Sequence, residues 1–492
     1  MGLGLWLSLW VWPVMAGAEL TWSPCWLKGV ERAARCGVLS RPLDPAAPQG
    51  QQVAVHVAVI PARSRRAAPD PVVFFAGGPG QSAVSLAGSV SGLLSSVLSR
   101  REVVLIDQRG TGRSAPLRCE DDEQPPATLA AQLQPLSVMT AQRCLNRLQA
   151  LPHGDVRQYT TSIAMTDVEA VREAMGVARW NLVGVSYGSR AALEYLRQQP
   201  LRVRRMVLDG VVSPTMNVPL TASIEAQRAL EGVLARCEGD AVCVRQYPRL
   251  RAQWRQVLAG LPREVTVPHP VSGQPERFVL TRDVLAALVH APLYAPFLAA
   301  GLPLAIDAAA SGRFTPLVGL AAAMGGGASG GLASGMHLAV VCSEDGPGLL
   351  NAPPAQSEGG HDGRWIQGLS EPYRNICRVW PRGVVSEAFR HIAPTSAATL
   401  LLSGELDPVT PPQYAEQVRA SLGPRAVSWV LSGQGHGQLG TGCVGELVHR
   451  FLDAPDDESA LAEARAAAPR CTRPRPAPWP MLPLNPQAEV AR

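Results

Sequence analysis

Residues 180–190, Trp180-Asn-Leu-Val-Gly184-Val-Ser186-Tyr-Gly188-Ser-Arg190, run from a short apolar stretch into a Gly-x-Ser-x-Gly motif. Asn181 to Val185 has the composition of a buried parallel strand. Downstream, Arg190-Ala-Ala-Leu-Glu-Tyr-Leu-Arg197 carries apolar residues at 191, 192, 195 and 196, the spacing of a helix face. A serine on so sharp a strand-to-helix turn is held out at the edge of a sheet, and glycines two positions to either side let the crossing backbones approach. This context marks Ser186 as a candidate nucleophile rather than one serine in a Gly/Ser loop. It also sets a demand on the chain: an acid and then a histidine should follow, in that order.

Working outward, short apolar runs at Val53–Ile60, Val72–Phe75, Val103–Ile106, Asn181–Val185, Met206–Leu208, Thr399–Leu402 and Val427–Leu431 alternate with helical patterns. This rhythm predicts an α/β fold: a mostly parallel sheet with helices on both faces. It fails between about 213 and 395, where apolar helical patterns (226–237, 284–289, 297–310) lead into a glycine-rich stretch at 325–331. The expected organisation is a core over 19–212 and 396–471, interrupted by a largely helical cap over 213–395. The glycine-rich stretch lacks the Lys-Ser/Thr of a phosphate loop and reads as a flexible part of the cap.

The acid is expected beyond a late strand. Thr399-Leu-Leu-Leu-Ser-Gly-Glu-Leu-Asp407-Pro places Asp407 in a loop past the strand's carboxyl end, the edge where open α/β sheets bind ligands. Glu405 and Asp209 are its competitors. His436, between glycines after the final strand, is the only histidine with strand, order and loop in its favour, since His449 lies in an apolar helical pattern. In such a set the histidine moves the serine's proton and the acid orients the ring. The oxyanion needs preorganised donors. The backbone N–H of Tyr187 is one; Gly78, in Phe74-Phe-Ala-Gly-Gly-Pro79-Gly80, is the other, because Pro79 has no N–H.

A chain of 492 residues with 46% hydrophobic composition can bury a large core. Its 45 basic residues against 40 acidic give too slight and dispersed an excess to point to nucleic acid, and Lys28 is its sole lysine. Residues 1–18 are expected to be a signal peptide, apolar and ending Ala16-Gly-Ala18, although the usual basic start is missing. No other stretch suggests a stable membrane span, and export to the periplasm or medium follows. Ten cysteines, none in a C-x-x-C motif, fit an oxidising compartment; pairing of sequence neighbours would join 25–36, 119–144, 237–243, 342–377 and 443–471. Residues 472–492 read as a Pro-rich tail. No H-E-x-x-H motif recommends a metal, no cofactor is expected, and no oligomeric state is implied.

Taken together these motifs resemble the proline iminopeptidase and tripeptidyl aminopeptidase family of α/β-hydrolase serine peptidases. Gly77-Gly-Pro-Gly80 is similar to its H-G-G-P-G loop, with Ala76 at the histidine position. Asp107-Gln-Arg-Gly-Thr-Gly-Arg-Ser114 matches D-Q-R-G-x-G-x-S, and Tyr159-Thr-Thr161, Asp167, Val171-Arg172, Val207-Leu-Asp-Gly-Val211 and Gly404-x-x-Asp-Pro-x-Thr-Pro411 complete the pattern. The resemblance covers most of 50–215 and 395–445 and matches the cap only loosely. It implies an α/β-hydrolase fold and release of residues or short peptides from free N-termini, with peptides as partners. Such an enzyme must hold a substrate ammonium, and a desolvated carboxylate does this by charge-assisted hydrogen bonds. Val340-Val-Cys342-Ser-Glu344-Asp345 is similar to the family's acidic segment late in the cap, so Glu344, with Asp345 as second choice, is the expected amine anchor. Asp107 and Arg109 are expected to form a supporting acid–guanidinium network. Two other classes remain open from the sequence: an esterase, which would ignore a free amine, and a non-catalytic α/β-hydrolase used for binding.

Overall fold

The computed structural model describes residues 20–352 and 370–467, apart from Pro125, Pro135, Ser329, Gly330 and Ala393. The expected signal peptide and Pro-rich tail lie outside the described residues. Eleven strands are described: β1 (Ser23–Cys25), β2 (Ala34–Pro42), β3 (Gln52–Ile60), β4 (Val72–Phe75), β5 (Val103–Ile106), β6 (Trp180–Val185), β7 (Val203–Asp209), β8 (Arg263–Pro268), β9 (Pro275–Leu280), β10 (Ala398–Gly404) and β11 (Ala426–Leu431). Nine form one sheet in the order β1-β2-β3-β5-β4-β6-β7-β10-β11. From β5 to β11 every pairing is parallel, and β1 to β3 extend the sheet antiparallel.

Each of the seven apolar runs is a strand of this sheet. In the parallel strands, alternate residues divide between two cores. Val73, Phe75, Val104, Ile106 and Leu401 face one; Val72, Phe74, Val103, Leu105, Leu400 and Leu402 face the other. A sheet covered on both faces needs uninterrupted apolar runs, which is why these strands do not alternate apolar with polar. Each buried Val or Leu contributes about 1.5–3 kcal/mol relative to exposure. The parallel strands end at one edge. The loops that follow β4, β6, β7, β10 and β11 carry Gly77–Gly80, Ser186, Gly210, Asp407 and His436 respectively.

Between β7 and β10 the chain leaves the sheet through helices that include Val218–Glu238, Leu250–Ala259, Arg282–Leu293, Leu302–Ala310, Ser334–Glu344 and Glu371–Cys377. Much of this insertion encloses its own core, with Leu230, Leu234, Leu285, Val289, Leu302 and Ile306 at its centre. It is not purely helical: β8 and β9 form an antiparallel hairpin within it. The helix Thr315–Ala328 runs into the glycine-rich stretch that the sequence reads as a flexible part of the cap. A second excursion, between β5 and β6, meets the insertion, with Ser334 N donating to Asp122 Oδ2 at 2.8 Å. Disulfides join 25–36, 119–144, 237–243 and 342–377. Cys443 is also disulfide-bonded, and the expected partner Cys471 lies outside the described residues.

Candidate active site

Ser186 stands at φ 57°, ψ −127°, between β6 and the helix Tyr187–Gln198. A non-glycine residue there carries about 1–3 kcal/mol of backbone strain, held by its surroundings. Ser186 N donates to Asp209 O at 2.8 Å, and Ser189 Oγ donates to Ser186 O at 2.6 Å while accepting from Val212 N. The flanking glycines are required by contact: a Cβ on Gly184 would lie 2.4 Å from Gly188 O, and one on Gly188 would lie 2.1 Å from Phe75 O. The loop after β4 presses on the elbow in the same way, since a Cβ on Gly77 would stand 3.2 Å from Ser186 Cβ. This puts the Gly77–Gly78 backbone beside the serine. Tyr187 N–H opens its helix and has no acceptor within it.

Asp407 and His436 meet at the same edge. His436 Nδ1 lies 2.8 Å from Asp407 Oδ2, and Thr410 Oγ1 donates to the same oxygen at 2.8 Å while lying 3.1 Å from Nδ1. Asp407 Oδ1 accepts from Val409 N and Thr410 N. A carboxylate can only accept, so Nδ1 carries the proton and Nε2 is left as the ring's acceptor. Burial favours a neutral Asp407, but the His436 ring and these donors outweigh it and hold its pKa below the ordinary value. Burial likewise opposes a charged His436, yet the charge and hydrogen bond of Asp407, with the charge of Asp209, leave its pKa above 6.5. Gly210 lies against the imidazole, since a Cβ there would stand 2.9 Å from His436 Cε1, and the residue before it, Asp209, accepts from Ser186 N. Among the described residues no hydrogen bond joins Ser186 Oγ to His436 Nε2.

The competing acids have other partners. Glu405 Oε2 accepts from Ser432 Oγ and Gly433 N. Asp209 Oδ2 accepts from Gln438 N at 2.6 Å and Leu439 N at 2.8 Å, so it ties down the chain just past His436. The insertion holds that chain from the other side: Tyr294 O accepts from His436 N at 2.8 Å, and its ring meets the imidazole edge-on at 5.2 Å.

Glu344 and Asp345 are wholly buried and lie against Arg190 of the elbow helix. Arg190 Nη1 is 3.1 Å from Asp345 Oδ1 and 3.7 Å from Glu344 Oε2. Glu344 Oε1 accepts from Thr161 N, whose hydroxyl meets Tyr187 Oη at 2.6 Å. Glu344 Oε2 has no hydrogen-bond partner among the described residues. Burial, only partly offset by Arg190 and Thr161, pushes the Glu344 carboxyl up to about 7.

The expected Asp107–Arg109 network is two networks. Asp107 takes hydrogen bonds from Ser82 Oγ and Val84 N, bracing the chain just after Gly80. Arg109 instead makes a bidentate pair with Asp167 and donates to Leu43 O, Gln158 O and Pro42 O. Thr410, Arg190 and Tyr294 were given no role from the sequence; of these only Thr410, inside the quoted Gly404–Pro411 motif, left a local signal. Among the described residues no cluster of three or more His, Cys, Asp or Glu could hold a metal, and no helix is long and apolar enough to cross a membrane.

Two protein families match the chain: the alpha/beta hydrolase fold over residues 70–239 and TAP-like protein over residues 367–460. A tripeptidyl aminopeptidase of Streptomyces lividans is 30% identical over 239 residues, 44% of this chain and 43% of that protein. Serine protease Hip1 of Mycobacterium tuberculosis is 28% identical over 250 residues, 46% of each. A proline iminopeptidase of Neisseria meningitidis is 30% identical over 141 residues, 29% of this chain and 32% of that protein. The chain thus matches less than half the length of each of these relatives. The chain has the α/β-hydrolase fold and is similar in its core to the proline iminopeptidase and tripeptidyl aminopeptidase family of serine peptidases.

Proposed function

We propose that this protein is an exported serine aminopeptidase that releases residues or short peptides from free N-termini through a Ser186–His436–Asp407 triad. The observation that carries the reading is the Asp407–His436 hydrogen bond at the sheet edge where the strained Ser186 elbow stands. Ser186 Oγ attacks the scissile carbonyl carbon and His436 Nε2 takes its proton. The tetrahedral oxyanion accepts from Tyr187 N–H and Gly78 N–H. As the C–N bond breaks, His436 protonates the leaving amine. Water, activated by the same ring, then hydrolyses the acyl-enzyme. The curated relatives named as aminopeptidases support the peptide substrate. The four disulfides support an oxidising compartment, periplasm or medium. Membership of 213–395 in a cap that shapes the substrate site is part of the same reading.

Glu344 is the proposed amine anchor, with Asp345 second because its Oδ1 is engaged by Arg190. What supports Glu344 is its Oε2, which takes no hydrogen bond among the described residues, and the link of its Oε1 through Thr161 to Tyr187. A substrate ammonium entering beside Arg190 would hold the carboxylate charged. Fluorophosphonate labelling of the parent, and its loss in Ser186→Ala, tests the nucleophile. Mass spectrometry on peptides with free and acetylated N-termini tests the class. Cleavage indifferent to acetylation, or confined to simple esters, refutes the aminopeptidase reading. A Glu344→Gln variant that keeps the parent's preference for free amines refutes the anchor.

A further inference from the structure

The loop that offers Gly78 has no polar side chain of its own at Ala76, yet its carbonyls are held from outside. Ala333 N donates to Gly80 O at 3.0 Å, and His337 Nδ1 lies 3.1 Å from Pro79 O. Both donors belong to one segment of the insertion, 258 residues away in the case of His337. The contact is close: a Cβ on Gly78 would lie 3.0 Å from Leu332 Cδ1, and one on Gly80 would lie 2.8 Å from Ala333 O.

The chemistry of the partners sets the tautomer of His337. A carbonyl only accepts, so Nδ1 must carry the proton. Burial lowers the ring's pKa and keeps it neutral, so Nε2 is an acceptor. Tyr373 Oη, 2.9 Å away, supplies the matching donor. Tyr373 lies on the helix Glu371–Cys377, which the 342–377 disulfide ties to the helix Ser334–Glu344 that carries His337. The chain of contacts therefore runs from a covalently braced helix pair, through one fixed tautomer, to the backbone next to Gly78.

We propose that His337 is a positioning residue for the oxyanion site: its Nδ1–H grips the Pro79 carbonyl and so aims the Gly78 N–H, while Tyr373 locks its tautomer. The inference rests on the serine hydrolase reading above. It makes catalytic competence depend on how the insertion is seated, because the second oxyanion donor is aimed by a residue that the core does not contain.

The test is the second-order rate of Ser186 phosphonylation by a fluorophosphonate, with kcat and KM on a free-N-terminal peptide, each normalised to titrated active sites. A role in general folding alone would lower the number of titratable sites but not the rate per site. His337→Ala is expected to lower phosphonylation and kcat about tenfold to hundredfold, toward the loss of one oxyanion donor, with KM changed less than about threefold. His337→Asn, whose side-chain N–H can replace Nδ1–H, is expected to restore most of the rate. Parent-like rates per site in His337→Ala, or an Asn variant as slow as Ala, would overturn the proposal. If His337→Ala does not fold, Tyr373→Phe decides: it removes one hydroxyl and is expected to slow phosphonylation about threefold or more, and a parent-like rate overturns the proposal. Failure of the parent itself to label overturns the hydrolase reading and this inference together, whereas a labelled parent with unaffected variants overturns this inference alone.

Discussion

Replacing Asp209 by Asn should stabilise the protein at neutral pH, although it removes a charge that accepts two hydrogen bonds. Asp209 is 1% exposed, and its Oδ1 meets no donor among the described residues. Burial raises its pKa from 3.8 to about 6 despite the N–H groups of Gln438 and Leu439. A folded-state value above the unfolded one means that the native protein binds the proton more tightly. Stability is then lost as pH rises through this interval, with the penalty absent below about 4 and complete above about 6. A difference of about two pH units corresponds to about 3 kcal/mol. Asn does not titrate and can still present its oxygen to both N–H groups. Urea unfolding of parent and variant should therefore show a gain approaching 3 kcal/mol at pH 8 that shrinks toward zero at pH 4. Groups that do not interact with Asp209 cancel in the difference. The same substitution removes a charge that raises the His436 pKa, so the acid limb of kcat/KM should move to lower pH. A variant less stable than the parent at pH 8, or a difference that does not change with pH, would refute the reasoning. It would mean that the two backbone donors outweigh burial and that Asp209 is a stabilising anion.

Three further outcomes are expected. Thr410→Val deletes the hydroxyl shared by Asp407 Oδ2 and His436 Nδ1; kcat/KM should fall about tenfold, and loss of one buried hydrogen bond to a charged group should cost about 1.5–3 kcal/mol in urea unfolding. Arg190→Met leaves Glu344 and Asp345 buried without their cation. It should cost about 3–5 kcal/mol in urea unfolding at pH 8, and less at pH 5, where the Glu344 carboxyl, raised to about 7, is neutral in the fold. The acid limb of kcat/KM in the parent should lie above the ordinary imidazole value of 6.5, because His436 must be neutral to take a proton and Asp407 and Asp209 favour its charged form; Asp407→Asn should move the limb down as well as slow the reaction.

Much of the fold and the candidate site is legible because each part demands an uncommon local backbone. The Ser186 elbow needs a strained φ and two close backbone approaches, and both appear in the sequence as glycines around one serine. Asp407 sits where prolines end β10, and His436 sits between glycines after β11. The central strands are continuous apolar runs because both faces are covered. The edge strand β1 and its neighbour β2 escape this reading, since one buried face yields only a broken pattern in Ala34–Pro42. The hairpin β8–β9 alternates buried and exposed residues in Arg263–Pro268, but it is short and surrounded by helices. Arg109 shows the limit for polar partners. The motif places it two residues from Asp107, yet its carboxylate is Asp167, set 58 residues away by the packing of another helix.

The contacts between the insertion and the site are illegible for a related reason, and the reason bears on mechanism. These contacts are made by ordinary residues in ordinary conformations: Tyr294 on His436, Arg190 with Glu344 and Asp345, His337 on Pro79. Such residues acquire a role only from what lies across the interface, so no spacing rule finds them. Ser186, Asp407 and His436 can be found in short motifs because each of those motifs demands its own local backbone. The insertion holds both the His436 loop, through Tyr294 O, and the Gly77–Gly80 loop, through Ala333 N and His337. If the insertion shapes the substrate site as proposed, a sequence change that reshapes it also moves the groups that hold the His436 and Gly77–Gly80 loops. Specificity and turnover should change together in variants of this interface. Variants within the β4, β6 and β10 motifs should instead lower turnover on every substrate alike.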